Sequence, residues 1–194
     1  MTEESTTFTA TDLQGFLDEM VDHDRLVLAD RLQRASERLA EYGELVTAGH
    51  GKDAQGGASG AGSARPDAPR GDVPPQAWTA HEVLAHIVVL SKFYGVIFHK
   101  VSSGGMTELD LLNNVGLRDA MNEQMAQIEP KELIRMALDD HARTMKSLRA
   151  ADVASMRRVV KVDGGETMTA EEVARLPLIS HLELHIDQLA RALA

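Results

Sequence analysis

Trp78-Thr-Ala-His-Glu-Val-Leu-Ala-His-Ile-Val-Val-Leu-Ser-Lys-Phe-Tyr-Gly-Val-Ile-Phe-His-Lys-Val101 is the stretch whose reading decides the fold. Thr79 and Glu82 stand at capping-box spacing, where each side chain satisfies the other's orphan backbone amide, and Trp78 just ahead can staple the chain's approach. Beyond the cap the stretch is apolar nearly all round. A helix that is apolar on every side must be covered on every side, so it reads as the central helix of an all-α domain. Ser102-Ser-Gly-Gly105 ends it. His86, Ser91 and Lys92 break it, so no run reaches the ~18 uninterrupted apolar residues of a membrane span.

The covering helices lie on both sides. Residues 11–48 predict a long first helix: Thr11 with Gln14 fits a capping box, and Leu13, Phe16, Leu17, Met20, Val27, Leu28, Leu32, Leu39 and Leu45 keep a helical period, with Gly43 marking a fraying end. A weaker pattern predicts a short helix near 117–128. Pro130 opens a third main helix to about Arg149 through Leu133, Ile134, Ala137, Leu138, Met145 and Leu148. Arg158-Val-Val-Lys-Val162 is a short strand followed by an Asp-Gly-Gly turn. Thr169 with Glu172 caps the last helix, in which Pro177 removes one backbone hydrogen bond and predicts a kink just ahead of His181.

Between the first two helices, residues 49–76 hold 7 of the 15 glycines and 4 of the 6 prolines, with Val73 the only large apolar residue. Such a segment has nothing to pack and is expected to be a long flexible loop. Neither side of it looks self-sufficient, so residues 1–194 are read as a single domain. Four principal helices joined by one long connection and later crossovers predict a four-helix bundle, a frame that builds metal sites from inward side chains on facing helices.

Composition narrows the function. Thirty acidic residues against 20 basic ones give a net charge of −10, and no Lys/Arg cluster exceeds Arg157-Arg158 with Lys161. Nucleic acid and membrane are therefore not expected partners. The chain has no cysteine, which removes disulfides, thiolate ligands and a cysteine nucleophile of its own. Met1-Thr-Glu-Glu-Ser-Thr-Thr is the reverse of a signal peptide's basic start, and a cytoplasmic location is expected.

The chemistry rests on histidines. His181 and His185 are four residues apart on the last helix, one turn apart on one face, with Cβ atoms ~5–6 Å from each other. Two imidazoles so placed can reach one ion through bonds of ~2.0–2.1 Å. The pair can equally be a partly exposed flank beside the Leu178, Leu182, Leu189, Leu193 stripe. His86 shares an inward stripe with Leu90, Phe93 and Ile97, and is either a hydrogen-bonded core histidine or the third ligand. His23, on a stripe with Phe16, Met20 and Val27, and His141, with Ile134, Leu138, Met145 and Leu148, read as buried polar groups, or as groups that stand behind a ligand or face a substrate, His141 being the better candidate. His50 belongs to the glycine-rich segment, His99 to a helix end whose dipole suits a cation, and His81 to the N-cap region. His81 and His86 are five apart, and rotated ~140° they cannot share an ion as an i, i+4 pair does. Glu183 lies opposite the His181/His185 face, which excludes a zincin arrangement.

Trp78-Thr-x-x-Glu-Val-Leu-Ala-His86-Ile resembles the start of helix two in the DinB/YfiT-like superfamily, and His181-x-x-x-His185-x-x-Gln188-Leu189 resembles its final-helix signature. The resemblance covers the whole chain outside the glycine-rich segment. It implies that His86, His181 and His185 hold one divalent zinc- or nickel-like ion with open positions for water or substrate. It also implies relatives of two kinds, thiol S-transferases and the mycothiol-dependent maleylpyruvate isomerase. The isomerase-type site carries Glu where this chain has His181, which favours the transferase branch. The expected partners are then a small thiol such as mycothiol and an electrophile, with a homodimer a further expectation. In that reading His141 takes part in proton transfer and Gln188 orients a ligand or an imidazole. The competing reading is a non-catalytic stress or ligand-binding bundle with a structural metal or none.

Overall fold

The computed structural model describes residues 10–47, 78–110 and 115–193. The expected loop at 49–76, with His50, lies outside them, as does the chain's start. The described chain is mostly helical, in the order α1 (Ala10–Thr47), α2 (Ala80–Ser102), β1 (Glu108–Leu109), α3 (Val115–Met125), α4 (Pro130–Ala150), α5 (Val153–Met156), β2 (Val159–Val162), a 3-10 turn (Asp163–Gly165), β3 (Thr167–Thr169), α6 (Ala170–Val173), a π-helical segment (Ala174–Ser180) and α7 (His181–Ala192).

The capping boxes at Thr79/Glu82 and Thr169/Glu172 are both closed, each threonine accepting from the glutamate's amide and each glutamate accepting from the threonine's. Pro130 stands at the first turn of α4, where its missing N–H costs nothing. α4 packs against both α1 and α2, and α7 packs against the same two helices. α2 also meets α3 and α6, so it is the central element. It is the one described helix long and apolar enough to cross a membrane, and most of that apolar stretch is buried inside the protein. The core runs through Leu28, Leu32 and Leu39 of α1, Ile87 and Phe98 of α2, Leu133 and Leu148 of α4, and Leu182 and Leu189 of the last helix.

The expected strand exists and belongs to a three-stranded sheet, β2 lying parallel to β1 and antiparallel to β3. Gly164 and Gly165 turn the chain between β2 and β3 at φ 81° and 86°, a region that favours glycine. The sheet brings the chain back to the foot of the last helix.

Three expectations are corrected. Thr11 is not an N-cap: the helix already includes Ala10, and Gln14 donates to Asp18 at 2.8 Å, one turn on, rather than back to the start. Phe16 and Met20 are 54% and 48% exposed, and His23 with them, because the first turns of α1 are helical without being covered by the described chain. Gly43 marks no fraying end, since α1 continues to Thr47. A Cβ on it would sit 2.6 Å from Ile134 Cδ1 and 3.2 Å from its Cγ2, so the glycine lets α1 and α4 approach closely. Gly43→Ala sets a helix-propensity gain of about 1 kcal/mol against overpacking that typically costs about 1–3 kcal/mol. With Ile134 itself buried, urea denaturation should show a net loss; a more stable variant would mean that Ile134 yields freely.

Pro177, where a kink is expected, lies inside a π-helical segment that ends just ahead of His181. Helical backbone angles continue on both sides, and the His181 amide donates to Leu176 O, five residues back. Widening the turn accommodates a residue without an N–H, and it ends where α7 begins, at His181.

Candidate metal centre

His86 comes from the second turn of α2, and His181 and His185 from the first turn and a half of α7. The structure brings all three together: one nitrogen from each lies within 4.8 Å of the others. The ring centroids are 4.5 Å apart for His86 and His185, 4.7 Å for His181 and His185, and 5.8 Å for His86 and His181. Ligand nitrogens on a tetrahedral zinc ion are ~3.4 Å apart, given bonds of ~2.0–2.1 Å, so small side-chain rotations suffice to converge on an ion. His185 is buried, whereas His86 and His181 are half-buried.

His185 carries the clearest sign of a ligand. Its Nδ1 lies 2.9 Å from Gln188 Oε1, an oxygen that can only accept, so Nδ1 bears the proton. The lone pair is thereby assigned to Nε2, which is buried and has no hydrogen-bond partner. A buried nitrogen left this way costs about 1–3 kcal/mol, and binding an ion would remove that cost. Burial also pulls the His185 pKa below the ordinary histidine value, against a smaller opposite effect of Gln188, which keeps the imidazole in its metal-binding neutral form. Gln188 is thus the side chain that sets the His185 tautomer.

Charges on the far side of α7 fix its rotation. Arg31 of α1 grips both oxygens of Glu183, at 3.1 and 2.6 Å, and Arg38 bonds Asp187 at 2.6 Å. Glu183 and Asp187 are four apart, as His181 and His185 are. Two carboxylates held by α1 therefore present two imidazoles on a different face. The trio is made of imidazoles alone, without a carboxylate.

His141 is not brought to the trio. It is 1% exposed and sits between Ser36 of α1, 2.9 Å from Nδ1, and Ser91 of α2, 2.8 Å from Nε2. Each serine oxygen also lies 2.7 Å from a carbonyl of its own helix, Leu32 or Ile87. With both nitrogens engaged and almost no exposure, this ring ties three helices together and is badly placed for proton transfer. The serines were missed because a lone hydroxyl has no periodic signal, although Ser91 did stand out in an apolar stretch. His81 bonds Ile128 O at 2.7 Å, and His99 is exposed in the last turn of α2.

The sequence assigns Trp78 the place of a staple and the head of the helix-two motif, but no contact with the histidines. Its indole is stacked on His185, with centroids 5.8 Å apart and planes 12° apart, and tilted against His86 at 4.8 Å.

No protein-family model matches this chain, and neither does any curated protein or solved structure.

Proposed function

We propose that the chain is a four-helix bundle of the DinB/YfiT-like kind that binds one zinc- or nickel-like ion through His86, His181 and His185, and that it transfers a small thiol such as mycothiol to an electrophile. The observation that carries this reading is the buried, partnerless Nε2 of His185 beside nitrogens of His86 and His181 within 4.8 Å. A divalent ion held there would supply a Lewis acid that favours the thiolate of an entering thiol at neutral pH. The chain's part is to hold three neutral imidazoles, through Gln188 behind His185 and the Arg31–Glu183 pair behind α7. Neutral ligands leave the ion's charge uncompensated. The sulfur must come from outside because the protein has no cysteine. In the transfer, the S–H proton passes to solvent, the sulfur forms a bond to the electrophilic carbon, and the leaving group departs with its electron pair.

The test is metal analysis of purified protein together with thiol conjugation to a chloroaromatic electrophile. About one zinc or nickel per chain, and conjugation faster with metal-loaded than with metal-stripped protein, are the expected results. Stoichiometric metal without any rate effect would favour the second reading, a non-catalytic bundle with a structural metal. The half-buried Trp78 lying against two of the imidazoles is the observation on that side.

A further inference from the structure

We propose that Trp78 is the positioning residue of the histidine trio, a shelf that holds His86 and His185 ready for one ion and slows the ion's escape. The inference rests on the metal-binding reading above. The two imidazoles belong to different helices, so something must set their relative tilt before an ion does. Trp78 touches both, lying nearly parallel to His185 and at 60° to His86. The His185 ring is thereby held on its face by the indole, at its edge by His86 at 69°, and at Nδ1 by Gln188. These constraints leave Nε2 with one direction.

The indole is itself held. Trp78 immediately precedes the N-cap, where the Thr79 amide donates to Glu82 Oε2 at 2.9 Å and the Glu82 amide donates to Thr79 Oγ1 at 3.2 Å. The partly buried side chain also packs against the core. An indole has only two side-chain torsions, so ordering it costs little conformational entropy for the area it covers. A preorganised pair of ligands loses less freedom on binding, and a covered one releases its ion more slowly.

Trp78 is the only tryptophan, so its emission reports on this place alone. Full-length protein stripped of metal is titrated with Ni²⁺ while that emission is followed. Calorimetry and chelator-driven release are then compared for the parent, Trp78→Ala and Trp78→Phe, with circular dichroism confirming the helical fold of each. Emission of the parent should be quenched with saturation at one equivalent. Trp78→Ala should bind nickel roughly 10–100-fold more weakly, mostly through faster release, and Trp78→Phe should recover most of the loss. Parent protein that binds one nickel without quenching, a folded Trp78→Ala that holds nickel as tightly as the parent, or a Trp78→Phe no better than Trp78→Ala would each overturn the shelf and leave the metal reading standing. Folded parent that takes up neither nickel nor zinc overturns the metal reading, and the shelf with it.

Discussion

His185→Ala should abolish stoichiometric metal binding while leaving the metal-free protein about as stable as the parent. The two halves have different causes. Losing a partner behind a ligand costs roughly 10–100-fold in affinity, so losing one of three ligands should cost about 1000-fold or more. In the metal-free protein, truncating a side chain that is 6% exposed removes contacts with Trp78 and His86. It also removes the buried, partnerless Nε2, whose desolvation penalty is of similar size. The readout is thermal melting with and without zinc. At zinc near 100 times Kd the parent should gain about 2.7 kcal/mol, which for a domain of this length is a rise of roughly 5–10 °C. His185→Ala should show no such rise and nearly the same metal-free midpoint. An undiminished zinc shift would place the ion elsewhere. A variant that fails to fold without metal would show that His185 is a packing residue first.

Glu183→Ala provides the contrast. It removes the carboxylate held by Arg31 but no ligand, so the zinc shift should shrink without disappearing.

How much of this was legible in the sequence differs by element. The inward His86 and the i, i+4 pair were readable because helical spacing fixes which residues share a face, and two of the three capping boxes marked where faces begin. Two candidate ligands on one helix and one on another were therefore placeable before their distance was known. Phe16, Met20 and Val27 show the opposite case. Their period gives a helical face truly, but period cannot say whether another element covers that face, and within the described residues none does. Pro177 predicted an interrupted hydrogen bond; whether the chain breaks or widens depends on what packs around it, which is tertiary information. His141 was assigned to the core, where it lies, but its partners were not legible, because Ser36 and Ser91 are 105 and 50 residues away along the chain.

That serine–histidine chain sets the second large effect, a loss of stability on mild acidification. Four short contacts run from Leu32 O through Ser36, His141 and Ser91 to Ile87 O. The two hydroxyls and a neutral imidazole contain three protons between them, so one serine must turn its hydrogen from its own helix carbonyl toward the ring. A protonated ring would supply a fourth, yet burial opposes the charge and pushes the His141 pKa down to about 4. An unfolded histidine titrates near ~6.5, so the unfolded chain binds more protons than the folded one between about pH 4 and 6.5. Stability therefore falls as pH drops through that window, by about 2–3 kcal/mol from pH 7.5 to 4.5 for this group. The added fourth bond offsets part of the loss, placing it near the lower figure. Burial depresses His185 as well, and exposed carboxylates such as Glu132 and Asp152 act at lower pH. The effect of His141 is consequently the difference between parent and His141→Gln, whose amide can still donate to one serine and accept from the other. Urea denaturation at the two pH values should show the parent losing about 2 kcal/mol more than the variant. Equal losses would mean that the ring takes up its proton in the folded protein as readily as in the unfolded chain, the fourth contact offsetting its burial.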